Sequence, residues 1–326
     1  MIRLTMVELR RIAARKVLWI ALLASLAIAI VTVVGVFLTA QQIDSARAGF
    51  NQQYNQMVEQ LPADIEQCER DQEAERRATG DPTIDYGCNQ IRVPTIDEMY
   101  GAMPSLADQY QMLLGGLAYP FMFLALAMGS TMVAAEFAHR TMGSWLTFEP
   151  RRTLVYLSKV LAPAIASLPV ALLGLVTVFV GIPAVFRWFR IDDSVTGNEW
   201  ADLAWIALRI CLLTVLTGAF GAGLAFILRH SGLVIGLMVG YLVLIEGILG
   251  SIFNWLGKLA LSRNIHAVIN DGTQWSVWPS NCGWDGNECR EIIYRISLTH
   301  GVVVLGVLLV IVAVLGWVRF VRSDVD

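Results

Sequence analysis

Glu136 to Lys159, EFAHRTMGSWLTFEPRRTLVYLSK, decides how the rest of the chain is read. It is a charged, turn-containing insert between two apolar runs, Gln111 to Ala135 and Val160 to Phe186, each long enough to cross roughly 30 Å of hydrocarbon as a helix. The insert opens on an acidic residue at a helix end, carries a short amphipathic segment, and breaks at Pro150. It restarts after Arg151 and Arg152 into Tyr156 and Lys159. A polar loop of this kind between two spans is expected to be a docking loop on the cytosolic side.

Working outward, four more windows have the same length and character: Val17 to Thr39, Leu203 to Leu228, Gly232 to Leu256 and Ser297 to Val318. With 56% hydrophobic residues in 326 and a mean hydropathy of +0.58, the chain is too apolar for a soluble enzyme of its size. The expected fold is an all-α polytopic membrane protein with six transmembrane helices. Arg10, Arg11, Arg15 and Lys16 before the first window resemble the basic end of a signal peptide, but the apolar core that follows is too long for one, so a retained span is expected. Residues 1–16 alternate apolar positions with arginines and predict an amphipathic helix lying on the inner leaflet. A plain topogenic flank is the competing reading.

Lys and Arg asymmetry sets the orientation. A cytosolic N-terminus gathers Arg3, Arg10, Arg11, Arg15, Lys16, Arg140, Arg151, Arg152, Lys159, Arg229, Arg319 and Arg322 on one side. The acid-rich, lysine-free segment 41–110 falls on the other, and both termini are then cytoplasmic. Cys68 and Cys88 in that segment, and Cys282 and Cys289 in the region 257–296, sit where an oxidising compartment favours disulfides. Near-neighbour pairing is the simplest arrangement, with the two cross-pairings left open. Cys211 lies in a span as a packing residue. Segment 41–110 reads as a disulfide-tied external cap whose first half continues the first span outward as a helix, becomes charged after Pro62 and makes a turn at Thr79-Gly80-Asp81-Pro82. Region 257–296 reads as an external stretch with a half-inserted or interfacial helix and a tryptophan belt at Trp275, Trp278 and Trp284.

Inside the windows, Gly115, Gly116, Gly129, Gly218, Gly221 and Gly223, and the four-spaced Gly232, Gly236 and Gly240, are expected to let helices approach closely. Pro163, Pro169 and Pro183 are expected to kink or break the third span. Counted along their windows at 1.5 Å per residue, Arg209 and Glu246 lie at matching depths of roughly 10 Å from the outer face, which predicts a buried ion pair.

Catalytic patterns are missing from the sequence. The only Gly-Lys pair, Gly257-Lys258, has no phosphate loop before it. His139, His230, His266 and His300 are scattered without metal-ligand spacing, and there is no nucleophile elbow. The expectation is therefore no catalytic site, no metal and no cofactor in this chain, and no nucleic-acid partner.

The central loop resembles the E…G…L…P-x-R…K pattern of type-2 ABC exporter permeases, with Glu136, Gly143, Leu146, Pro150, Arg152 and Lys159 in those places. The six spans, the N-terminal interfacial helix and the external stretch between spans five and six follow the same layout. The resemblance implies a permease subunit in a bacterial plasma membrane, paired with a second identical or related permease and with separate ABC ATPase subunits that carry ATP and Mg. It also implies that the loop is the coupling helix. Phe137, Met142, Trp145, Leu146 and Phe148 would then bury an apolar side in the ATPase, with Arg140, Arg151 and Arg152 pairing at the rim. The implied cargo is an amphipathic or lipid-like compound, drug or peptide moved outward. A membrane scaffold or sensor with a ligand-binding cap is the alternative, and a secondary transporter would need inverted repeats and midplane carboxylates that the sequence lacks.

Overall fold

The spans appear as helices because runs of some twenty apolar residues have no other way to satisfy their backbone in hydrocarbon. The computed structural model describes residues 2–95, 98, 104–250, 257–277 and 291–322. Its helices are α1 (Ile2–Ala13), α2 (Lys16–Thr79), α3 (Leu106–Ala138), α4 (Met142–Phe148), α5 (Arg152–Trp188), α6 (Gly197–Leu228), α7 (Ser231–Gly240), α8 (Leu261–Ile269) and α9 (Leu298–Arg322). Six stretches are long and apolar enough to cross a membrane: Lys16–Ala46, α3, α5, α6, Ser231–Leu249 and α9. The protein is thus an all-α, six-span, multi-pass membrane protein, with one small hairpin of strands as its non-helical element among the described residues.

The first helix continues outward from its span through Pro62 to Thr79, where the expected turn follows at Gly80. Two expectations are corrected here. The prolines do not break the third span: α5 runs unbroken from Arg152 to Trp188 through all three. The fifth span changes type instead of running on as an α-helix, since α7 passes at Gly240 into a π-helical segment, Tyr241–Leu249, that carries Glu246.

The described chain divides into two units. The first comprises Met1–Thr32, Ala107–Gly181 and Val195–Asp326. At its centre is α6, the most buried span at 67% of its apolar window. Its N-terminus is fixed by a capping box, in which the Thr196 hydroxyl accepts from the Glu199 amide and the Glu199 carboxylate accepts from the Thr196 amide. Glycines let α3 and α6 cross backbone to backbone. A Cβ on Gly129 would stand 2.2 Å from the Gly218 carbonyl oxygen, and one on Gly221 would stand 2.5 Å from that of Leu126. In the same unit the Ser25 hydroxyl donates to the Val170 carbonyl at 2.7 Å. Among the described residues Gly116, Gly236 and Gly240 meet nothing within 4 Å, and Gly232 meets only its own neighbour His230, so no close helix approach is seen at these four.

Also in the first unit, α8 leads into the antiparallel pair β1 (Gly272–Val277) and β2 (Ile292–Ser297), paired from Gly272 with Ser297 to Val277 with Ile292. Trp275 stacks on Tyr294 at 5.3 Å and takes the Arg263 guanidinium on its face at 4.1 Å. The tryptophan belt is therefore part hairpin at Trp275. Trp278, Trp284, Cys282 and Cys289 lie outside the described residues.

The second unit comprises Val33–Leu106 and Ile182–Ser194. Here Cys68 and Cys88 are disulfide-bonded, and Cys211 in the first unit is the free thiol among the described residues. After α2 the chain turns at Gly80, whose φ of 72° is the left-handed value that closes a helix, and runs back beside the last turns. The Arg76 Nε donates to the Ile84 carbonyl at 2.8 Å, and the Gln72 side-chain oxygen accepts from the Tyr86 amide at 2.8 Å. This return segment has almost no apolar core, so the disulfide, closing a loop with a sequence separation of 20, is its main fastening. For a loop of that order a crosslink stabilises by about 3 kcal/mol. Cys88→Ser should therefore make residues 80–95 the first site of protease cleavage while leaving the spans intact, as limited proteolysis with mass mapping would show. Equal cleavage in wild type and variant would mean that the hydrogen bonds alone hold the segment.

Candidate functional site

Helix α1 is basic and apolar except for one carboxylate, Glu8. Thr5, Glu8 and Ile12 share its buried face at helical spacing. Ile12 packs among Met128, Met132, Ala162 and Ala166 of α3 and α5, which sets Glu8 beside the entry to α5. Glu8 is only 6% exposed, and its Oε1 accepts from Lys159 Nζ at 2.9 Å and from Arg11 Nη1 at 3.3 Å.

Lys159 also contacts Glu136, in the last turn of α3, and both residues are 3% exposed. Arg11 Nη1 lies 3.3 Å and Arg15 Nη2 3.8 Å from Glu136 Oε1. Two carboxylates and three cations thus form one knot. Glu136 needs those cations doubly, because it sits at a helix C-terminus where the unpaired carbonyls already set a negative potential. Isolated burial of Glu8, Glu136 or Lys159 would cost several kcal/mol, so these three solvate one another, with the partly exposed Arg11 and Arg15 closing the knot from the solvent side.

The lid of the knot is Trp145 of α4. The Lys159 ammonium stands 4.8 Å and the Arg11 guanidinium 5.2 Å from its ring centroid. Cations over an indole face are attracted by the ring quadrupole by up to about 2 kcal/mol when desolvated. The knot therefore joins α1, α3, α4 and α5 around one aromatic ring.

The loop leaves α3 by a Schellman turn: the Thr141 amide donates to the Glu136 carbonyl at 3.1 Å and the Arg140 amide to that of Phe137 at 3.2 Å. Arg140 occupies the left-handed position with φ 54°, where glycine is usual. Helix α4 ends at Glu149 in extended conformation, as expected of a residue preceding proline.

Two of the apolar residues named for this loop do not face outward. Phe137 lies edge-on to Phe226 at 5.7 Å with the Arg229 guanidinium over its ring, and Met142 is 1% exposed in the same core. Both are committed to the chain's own interior. Pro150 and Arg151 are exposed. Arg152 donates to the Val321 carbonyl at 3.0 Å, satisfying an orphan acceptor at the end of α9. The side chains of Leu146 and Phe148 lie outside the described set. Behind the loop, the Tyr156 hydroxyl donates to the Ala313 carbonyl at 2.7 Å, and its ring stacks into Phe226 and Phe320. That cluster ties α5, α6 and α9 to the base of the loop.

The Arg209–Glu246 pair is corrected. Arg209 Nη1 donates to the Ile269 carbonyl at 3.2 Å and Nη2 to Asp271 Oδ1 at 3.4 Å. Glu246 accepts from the Ser262 amide at 3.1 Å. Matching depths along two spans say nothing of rotation about either axis, and the intervening helix α8 supplies each with a partner. The sequence reading missed Glu8; its signal was a lone acid on a basic helix, one turn before Arg11 and Ile12 on the buried stripe.

The fold and the knot together describe a multi-span membrane protein whose one short loop helix is fastened to two span ends and to its N-terminal helix. The chain belongs to the ABC-2 family transporter proteins, whose family model matches residues 4–325. It is by that membership a membrane transporter permease of the ABC class. No curated protein and no solved structure matches it.

Proposed function

We propose that the chain is the permease subunit of an ATP-driven exporter, working with separate ABC ATPase subunits and a second identical or related permease to move an amphipathic or lipid-like compound outward across a bacterial plasma membrane. ATP and Mg are handled on the ATPase, both termini face the cytosol, and α4 is the element the ATPase grips. The observation carrying this reading is the knot under α4. A loop helix that merely joined two spans would need no five-charge anchorage. One that must pass force from a partner into α3 and α5 does, because a rigid contact moves what it is fastened to.

On this reading the loop residues divide into two groups. Glu136, Lys159 and Trp145 position α4 from within, and Phe137 and Met142 fix its root. The exposed Arg151 and Pro150 are left to meet the partner. Extraction in mild detergent from native membrane should bring an ABC ATPase down with the wild type, and Arg151→Glu should reduce the recovered ATPase several-fold without changing the yield of permease. A rim charge acts mainly on association, so the loss should shrink in high salt. Recovery of no ATPase with the wild type would sink the reading and favour a scaffold or sensor.

A further inference from the structure

A cavity of about 710 Å³ opens in the first unit between α3, α6, α7, α8 and α9, walled by residues such as Tyr119, Phe123, Leu216, Met238, Ile265 and Leu305. Its wall is almost wholly hydrocarbon, and the few polar groups on it are committed. The Tyr119 hydroxyl donates to the Ser262 carbonyl at 2.9 Å, the Thr217 hydroxyl to that of Leu213 at 2.7 Å, and the Ser262 amide to Glu246 at 3.1 Å. Arg209 is the one charged residue lining it among those described.

Three physical points narrow the occupant. Water would find too few partners in such a wall to be held there. Left empty, the lining would forfeit its dispersion contacts. The volume falls within the range of about 300–1,000 Å³ that takes one drug-sized ligand. A hydrocarbon tail fits, and the spans around it already stand in hydrocarbon.

The head group follows from Arg209. A guanidinium has five donors, and its two contacts here are long or exposed: 3.2 Å to the Ile269 carbonyl and 3.4 Å to Asp271, whose side chain is 69% exposed. An anion at that end gains charge-assisted bonds from donors still in hand. Glu246, on the π-helical side beyond Ser262, would repel the same head and so sets its direction.

We propose that this cavity binds one amphiphile with a hydrocarbon tail and a carboxylate or phosphate head, tail against Phe123 and Leu305, head on Arg209. The binding site stands on its own geometry, and only its use as the cargo site rests on the transport reading above.

The test uses the full chain in nanodiscs with three photoactivatable diazirine probes of equal length, hexadecanoate, hexadecylamine and hexadecanol, and maps the adducts by mass spectrometry. Hexadecanoate should label the cavity wall well above Val176 and Val310, which face outward from it. Arg209→Gln should lower that labelling about tenfold, and Arg209→Lys should retain most of it. Gly306→Phe should abolish it, because Gly306 lines the cavity and a Cβ there meets nothing within 4 Å, which leaves the ring to take up cavity space. Labelling spread evenly over all outward faces and indifferent to Gly306→Phe would overturn the site. Amine labelling equal to hexadecanoate and indifferent to Arg209→Gln would overturn the anionic head. With the ATPase bound, loss of label on adding ATP marks the occupant as cargo, and persistence marks it as a resident lipid. If no ATPase is recovered, the transport reading fails while the labelling result still judges the cavity.

Discussion

Lys159→Met is expected to destabilise the purified protein by about 3–5 kcal/mol, the usual cost of removing one partner from a buried charge pair. The loss is large because Lys159 serves two carboxylates at once, Glu8 and Glu136, and also covers Trp145. Glu136→Gln should cost less, since the amide keeps an acceptor toward Lys159 and leaves Glu8 in place. Reversing the pair, with Glu136→Lys and Lys159→Glu together, should not rescue. The new lysine would face Arg11 and Arg15, and the new glutamate would face Glu8. The combination Glu8→Gln with Lys159→Met removes one charge of each sign and leaves Glu136 with its two arginines. It should recover about 1–2 kcal/mol of the loss, within the range of coupling between neighbours in one network. Denaturant unfolding in micelles measures all four. A Lys159→Met variant within about 0.5 kcal/mol of wild type would mean that water reaches the knot and that the charges are solvated singly.

The same variants separate anchorage from docking. On the proposed function, Lys159→Met should loosen α4 while leaving Arg151 exposed, so ATPase recovery should fall less than ATPase-coupled transport does. A contact residue would lose both in step.

How much of this was legible in the sequence depends on whether a property is one-dimensional. The six spans were, because hydrocarbon thickness demands length and apolarity, both of which are read along the chain. The short helix between the second and third spans was legible for the same reason, and Cys68 and Cys88 pair as the simplest arrangement has it. Rotation was not. Phe137 and Met142 carry apolar side chains that suit a partner or an interior equally, and only the packing around Phe226 shows that they point inward. Arg209 and Glu246 count to one depth along the sequence, yet in the fold each takes a different partner at α8 and the turn after it. Glu8 was overlooked because one acid among arginines looks like noise until Ile12 fixes which side of α1 is buried. The π-helical segment left no trace in the hydropathy pattern, since its residues are as apolar as those of an α-helical span.

The glycines show the same limit with the largest mechanical consequence. Gly129→Ala should be among the most damaging single-methyl changes in the chain. Its Cβ would meet the Gly218 carbonyl oxygen at 2.2 Å and the Ala222 nitrogen at 3.1 Å. These are backbone atoms of another span, so no side chain can swing aside, and α3 and α6 must part along their crossing. Overpacking typically costs about 1–3 kcal/mol, and the absence of any flexible neighbour places this change at the top of that range or above. Gly221→Ala, 2.5 Å from the Leu126 carbonyl oxygen across the same crossing, should behave alike. The two together should cost less than their sum, because helices already parted by one methyl have room for the other. Gly236→Ala and Gly240→Ala are the controls. With nothing within 4 Å, they should be neutral or stabilising by up to about 1 kcal/mol through helix propensity alone. The span they occupy is only 6% buried within this chain. If Gly236→Ala nevertheless proves as harmful as Gly129→Ala in the complex proposed above but not in the isolated chain, the four-spaced glycines of α7 are the face on which the proposed second permease packs.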